Sequence, residues 1–438
     1  MRVANFVGQA VFSMTFAGIG AAQSAGILPT PTGPSAIARV TYDWIDSTRA
    51  AFLDPGATAR REILVDVWYP IAGTPGGVTE PYLPNLAVIR RSLTDSVARR
   101  RFAPEYQLIE SGRLATHATS GGRASCPSSG CPVLIFSHGG GVDRSLYTAQ
   151  YEDLASHGYV VATIAHTFDT HLVVFPDGRA VRDMPQPRDS TPDDASIPAW
   201  RRDLAREERS HAYLRRVLEV EAADIRFVAD RLTALSRDGR AAAGLAGALD
   251  MTRVGALGHS LGGESAARAC QLDPRIKACL NQDGAMHNLP FSRDASGKTM
   301  RQPFMYFTRL WRRPVDPDSF LVVMQMTRAE NDSLLNDIES GPVRLLSDMP
   351  GGAYRASIVT RAVTHMAFSD EPLLQAGDDS AKRASALRTL GIVQTYTRAF
   401  FDRTLRRMPA LVLDRPGSSD SSITVERFPP SANKTPRR

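Results

Sequence analysis

The chain has 438 residues, 43% hydrophobic and 22% charged, with 33 Gly and 29 Pro, the composition of a globular protein long enough to bury a sizeable core. Its formal charge of +6 comes from 52 basic and 46 acidic residues mixed along the chain. No Lys/Arg run is interleaved with aromatics, which argues against nucleic-acid binding and leaves at most a peripheral contact with a membrane or lipid surface.

Met1-Arg2, the uncharged stretch Val3–Ala22 and the small, polar run Gln23-Ser24-Ala25-Gly26 predict a signal peptide over residues 1–25. Cleavage near Ala22 to Ala25 makes the protein secreted or periplasmic; an N-terminal membrane anchor is the alternative. A Pro/Gly-rich linker over 27–35 leads to strands at Val40–Asp46 and Glu62–Trp68, the second ended by Pro70. Four cysteines allow three pairings. In an oxidising compartment the simplest is local, Cys126–Cys131 and Cys270–Cys279, and the spacing does not suit a zinc site.

From Val133 onward, short apolar runs alternate with helical ones. Strands are predicted at Val133–Phe136, Tyr159–Ile164, Val254–Leu257, Ala278–Asn281, Pro303–Phe307 and Ala356–Thr360. Helices fall at Tyr147–His157, Arg209–Ser236 and residues 379–406. This alternation implies an α/β domain over 26–412, a mostly parallel sheet with helices on both faces. Residues 172–207 interrupt it as a lid-like insertion, or as an ordinary surface loop, and the Pro/Ser/Arg-rich 413–438 reads as a disordered tail.

Gly258-His259-Ser260-Leu261-Gly262 sits between a strand and a small-residue helix. A serine nucleophile held in a sharp turn needs glycines on both sides, and the helix N-terminus behind it favours a developing oxyanion. Ser260 is therefore the predicted catalytic nucleophile. Ser137-His138-Gly139-Gly140-Gly141 follows an earlier strand and offers the second half of an oxyanion hole, with Gly140 and Leu261 as backbone donors and Gly139 as competitor for the first. Only His287 and His365 follow Ser260. His365, beyond the last predicted strand, is the expected base; His287 lies too close behind Asp283 to approach from the far side. For the acid, position divides evenly between Asp283 and Asp316, with Asp318 beside the latter and Asp370 a helix-capping alternative. His138, His166 and His259 read as structural or pocket-lining, and Trp200 and Trp311 as possible apolar walls.

The segments Leu134–Tyr147, Asp153–Tyr159 and Gly258–Gly263, with Val67-Trp-Tyr-Pro70, Asp283 and the His365 region, resemble the plasma-type platelet-activating factor acetylhydrolase family across most of 60–405. That resemblance implies an α/β-hydrolase fold, Asp283 as the acid, and Gly140 and Leu261 as oxyanion donors. Gly140 stands where the animal enzymes carry a larger apolar residue, and 172–207 is more similar to bacterial and fungal relatives. The function so implied is a serine esterase acting on a small-molecule or lipid ester with a short acyl group, such as the sn-2 acetyl of platelet-activating factor-like phospholipids, without metal or organic cofactor. A lipase or polyesterase of the same fold is the alternative, since His138–Gly141 also resembles the hormone-sensitive lipase family. A non-catalytic secreted binding protein is the third reading.

Overall fold

The computed structural model describes residues 26–52, 58–73, 76–93, 105–184, 196–238, 244–286, 300–310, 317–360, 363–414 and 421–431. The predicted signal peptide, His287, Trp311 and Asp316 lie outside them. The chain opens with β1 (Ala36–Ala50), β2 (Arg60–Ile71), α1 (Leu86–Ser92), β3 (Thr119–Ser120), β4 (Cys131–Ser137), α2 (Thr148–Ser156) and β5 (Val160–Ala165). The small hairpin β6 (Leu172–Val174) and β7 (Ala180–Arg182) precedes α3 (Ala199–Arg237). Next come β8 (Leu249–His259), α4 (Leu261–Leu272), β9 (Ile276–Gln282), β10 (Phe304–Arg309), α5 (Pro317–Met324) and α6 (Arg328–Ser347). The chain closes with β11 (Ala353–Ile358), α7 (Glu371–Ala376), α8 (Ser380–Leu405), α9 (Leu411–Asp414) and β12 (Ile423–Phe428).

Ten strands form one sheet in the order β12-β11-β10-β9-β8-β4-β5-β2-β1-β3. The block from β5 through β4, β8, β9 and β10 to β11 is parallel, while β2 and β12 join it antiparallel. Strand β4 shows why both faces must be covered: Val133 and Ile135 pack into one apolar cluster and Leu134 and Phe136 into the other. Val217, Leu218, Ile225, Val228 and Leu232 of α3, with Ala266, Ala267 and Ala269 of α4, fill the first face. Tyr151 and Leu154 of α2, with Val393, Tyr396, Phe400 and Phe401 of α8, fill the second. Both local disulfides are present, Cys126–Cys131 and Cys270–Cys279, the second tying the end of α4 to β9. No helix among the described residues is long and apolar enough to cross a membrane.

Two differences from expectation change the reading of the chain. Helix α3 starts at Ala199 behind Pro198, ten residues before the predicted start. Its first turns carry the charged cluster Arg201–Arg209, so that cluster is helix rather than insertion; the apolar stripe begins only farther along. The second difference corrects the disordered tail, because Ile423–Phe428 adds an antiparallel edge strand to β11. Ile423 and Val425 point into the core and Arg355 pairs with Glu426 across the strands. That alternation is the signal the Pro/Ser-rich composition obscures.

Candidate active site

The chain leaves β4 for β5 on one side and β8 for β9 on the other, so the carboxyl ends of β4 and β8 flank a topological switch point, where open α/β sheets bind ligands. Ser260 follows β8 there with φ 55° and ψ −127°, a conformation costly for a residue with a side chain. The turn is held by its N–H, which donates to the Gln282 carbonyl at 2.8 Å. It also needs its glycines: a Cβ on Gly258 would come within 2.4 Å of Gly262, and one on Gly262 within 2.2 Å of the Ser137 and His138 carbonyl oxygens. The strain therefore presents the hydroxyl at the head of α4, with Glu264 in its first turn.

Asp283 follows β9 and His365 follows β11, each carried to the same end of the sheet by its strand. His365 Nδ1 lies 2.7 Å from Asp283 Oδ2, an oxygen that also accepts from Arg309 Nε at 2.9 Å. The other oxygen, Oδ1, accepts from Thr308 Oγ1 at 2.7 Å and the Arg309 N–H at 3.3 Å. Burial works against the charge, but these donors and the neighbouring Arg309 outweigh it and hold the carboxyl below the usual aspartate range. Asp283 is thus a fixed, fully bonded carboxylate. Neither Ser260 Oγ nor His365 Nε2 has a hydrogen bond among the described residues, a looseness common in ligand-free sites.

The loop after β4 has its donors sorted. Gly139 N–H donates to Tyr147 Oη at 3.1 Å and Gly141 N–H to the Asp169 carbonyl at 3.1 Å; Gly140 N–H has no partner among the described residues. Of the two glycines open from sequence, only Gly140 keeps a free donor, and its Cα faces Leu261, whose Cδ2 would lie 3.3 Å from an added Cβ. The Tyr147 hydroxyl continues to His259 Nδ1 at 2.9 Å, and His259 Nε2 to the His365 carbonyl at 2.9 Å. The carbonyl can only accept, so Nε2 carries the proton and Tyr147 donates to Nδ1. Burial, then the neighbouring His365, pushes the His259 imidazole down to about 3. A neutral His259 thus bridges the glycine loop and the His365 loop.

That assignment predicts a pH-dependent mutant effect. Folded His259 stays neutral, whereas in the unfolded chain it takes up a proton near its ordinary pKa of about 6.5. The folded wild type therefore loses stability as pH falls below that value, and a variant without the imidazole escapes the loss. Urea unfolding should show the destabilisation caused by His259→Gln shrinking by about 2 kcal/mol between pH 7 and pH 5. A constant difference would mean that the ring takes up its proton in the folded protein over the same pH range as in the unfolded chain.

Two of the competing acids, Asp318 and Asp370, are placed elsewhere. Asp318 is exposed and pairs with Arg328. Asp370 is buried, accepts from Tyr82 Oη and the Ala149 N–H, and is pushed well above the usual range by burial. A second Ser–His–Asp chain exists, Ser137 Oγ to His166 Nε2 and His166 Nδ1 to Asp224 Oδ2, both 2.8 Å. All three residues are 0% exposed, so no substrate reaches them, and Asp224 is tied to Arg61. Sequence reasoning missed Thr308, Arg309 and Tyr147, whose roles depend on contacts between distant strands.

A cleft of about 60 Å³ reaches the glycine loop at Gly141 and the segment after His365 at Met366; Leu83, Ile89, Leu146, Leu172, Glu105, Asp143 and Glu371 also line it, while Ser260 and His365 do not. Leu83, Ile89 and Leu172 also wall a larger cavity of about 280 Å³ floored by Arg39, Asp66 and Trp68. Trp200 lines neither; it packs under Arg201.

The sequence pattern of the family described as platelet-activating factor acetylhydrolase, isoform II, matches residues 56–370. A protein of Arthroderma benhamiae named a probable 1-alkyl-2-acetylglycerophosphocholine esterase is 26% identical over 288 residues, 64% of this chain and 65% of that one. The platelet-activating factor acetylhydrolase of Cavia porcellus is 27% identical over 190 residues, 40% of this chain and 39% of that one. The chain thus spans 65% or less of the length of these relatives. Among solved structures, a ferulic acid esterase from Streptomyces cinnamoneus superposes with a TM-score of 0.62 at 26% identity, covering 91% of this chain and 98% of that one, which identifies the fold as an α/β-hydrolase. Because one family pattern takes in residues 56–370, well over half of the sequence, the chain belongs to the platelet-activating factor acetylhydrolase, isoform II, family.

Proposed function

We propose that the protein is an exported serine esterase for short-chain carboxylic esters, with Ser260 as nucleophile, His365 as base, Asp283 as its partner, and the N–H groups of Gly140 and Leu261 as oxyanion donors. The observation that carries this reading is the Asp283–His365 hydrogen bond at 2.7 Å beside the strained Ser260. His365 accepts the Ser260 proton as Oγ attacks the ester carbonyl, and the Asp283 carboxylate stabilises the imidazolium. The tetrahedral oxyanion collapses as the alcohol leaves with the proton from His365. Water then attacks the acyl-serine by the same route, releasing the acid and restoring the hydroxyl.

The small cleft favours a short, uncharged acyl group. By the measure in which one water needs about 10–15 Å³, it has room for only a few heavy atoms. Glu105, pushed up to about 8 by burial and by Asp143 and Glu371, favours a neutral over an anionic group in the cleft. Such a site would take the sn-2 acetyl of a platelet-activating factor-like phospholipid, and the two disulfides suit an exported protein. The hairpin that supplies Leu172 would act as a partial lid.

A p-nitrophenyl ester series tests this. Wild type should turn over acetate to butyrate best and fall at least tenfold in kcat/KM by octanoate. Leu172→Ala, which removes part of the wall shared with the larger cavity, should move the optimum towards longer chains. Preference for palmitate in wild type would favour a lipase. The larger cavity supports a second reading, an ester of a bulkier acid as in the Streptomyces neighbour; faster turnover of methyl ferulate than of p-nitrophenyl butyrate would favour it.

A further inference from the structure

The free donor of Gly140 sits on a flexible stretch of three glycines, so something must aim it. A trans peptide unit is rigid, with its carbonyl and its N–H pointing in opposite directions; fixing one fixes the other. The Gly139–Gly140 unit is trans, and the Gly139 carbonyl oxygen lies 2.8 Å from Nδ1 of the His138 ring. The ring is fully buried. Its far nitrogen, Nε2, faces the His166 backbone N–H at 3.2 Å and Thr170 Oγ1 at 2.7 Å. A backbone N–H can only donate, so Nε2 bears the lone pair and the proton must sit on Nδ1. Nδ1–H therefore donates to the Gly139 carbonyl, and the same peptide unit turns its Gly140 N–H away from His138.

We infer that His138 is a positioning residue for the oxyanion hole: through the Gly139 carbonyl it sets the direction of the Gly140 N–H. This rests on the serine-esterase reading. Flanking bonds, Gly139 N–H to Tyr147 and Gly141 N–H to Asp169, hold the loop at each end, and the Gly139 carbonyl of the central unit accepts a turn bond from the Val142 N–H at 3.1 Å beside the shorter one from His138. His138 supplies the shorter of the two bonds to that carbonyl, from a ring that is itself fixed on its far side. The ring also stays neutral, since burial and then His166 push it down to about 4, so the tautomer persists at working pH. An oxyanion contact matters only once the carbonyl oxygen carries charge, so misdirecting it lowers kcat and leaves KM in place.

The discriminating substitutions differ in which nitrogen they replace. His138→Asn keeps an N–H at the Nδ1 position; His138→Gln keeps polar atoms at the Nε2 position and loses the donor to Gly139; His138→Ala loses both. On p-nitrophenyl butyrate, Gln and Ala should lower kcat ten- to a hundredfold with KM within twofold, against the hundred- to thousandfold typical of deleting a donor outright. Asn should recover to within a few-fold of wild type. The inhibition constant of a trifluoromethyl ketone, which adds Ser260 to form a tetrahedral adduct, should rise in step with the loss of kcat/KM. If natively folded Gln matches Asn, or if the loss appears in KM, the inference is wrong. A measurement on wild type stands independent of variant folding: nitrogen-15 histidine spectra should show His138 protonated at Nδ1, and an Nε2–H tautomer overturns the idea. Activity retained by Ser260→Ala would sink both the esterase reading and this inference, whereas a dead Ser260→Ala beside a normal Gln variant sinks only the latter.

Discussion

Replacing Ser260 by Ala is expected to lower kcat for p-nitrophenyl acetate by about five to six orders of magnitude, leaving a residual rate over water of about a thousandfold or more. In the proposed mechanism the nucleophile is not one of several contributors, since without Oγ no acyl-enzyme forms and His365 and Asp283 have nothing to activate. What remains is the oxyanion hole and substrate binding. The substitution should also be gentle on the fold. Ser260 Oγ has no hydrogen bond among the described residues to lose, and the strained turn is held by its backbone bond to Gln282 and by the contacts around Gly258 and Gly262. Melting temperature should therefore stay within a few degrees of wild type. A fluorophosphonate probe should label wild type and spare the variant. Activity within tenfold of wild type would remove Ser260 from the chemistry.

Asp283→Asn should lower kcat about ten-thousandfold with little change in KM. An amide at this position places an N–H where His365 Nδ1 now donates, forcing the ring either to the other tautomer or away from the acid, and it cannot stabilise an imidazolium. Arg309 sharpens the effect: with Asn at 283 its guanidinium, now 2.9 Å from Oδ2, would face a neutral group beside a histidine that must become positive. Asp318→Asn is the control, because Asp318 is exposed and, among the described residues, paired with Arg328. It should retain full activity. Equal activity of wild type and Asp283→Asn would mean that His365 is oriented by something else.

The parts legible in sequence were those encoded locally. Gly258–Gly263 announces its turn because the close approaches that forbid a Cβ are made by neighbours a few residues away. Strand β4 announces itself because both faces are apolar. His365 followed from chain order. The candidate acid was harder: Asp283 and Asp316 both follow strands, Asp316 lies outside the described residues, and the donors around Asp283 come from Thr308, Arg309 and His365, 25 to 82 residues away. The roles of His138 and His259 were hidden for the same reason. Each looks like a spare histidine until the atoms on both sides of its ring are known. The start of α3 was missed because helical turns in solvent carry charge and no apolar period.

Strand β12 bears on how the protein behaves in crowded solution. Without it β11 would offer open backbone along Arg355 and Ser357 and at the Val359 N–H, which now donates to the Ser422 carbonyl, a ready template for any extended chain. With it in place, the outermost strand shows Glu426 and Arg427 instead, charges that discourage a stranger from adding on. The last strand thus works as a selvage on the sheet. Trimming the chain after Asp414, which its composition invites, would spare every residue of the candidate site and is expected to raise self-association, seen as increased light scattering at equal concentration.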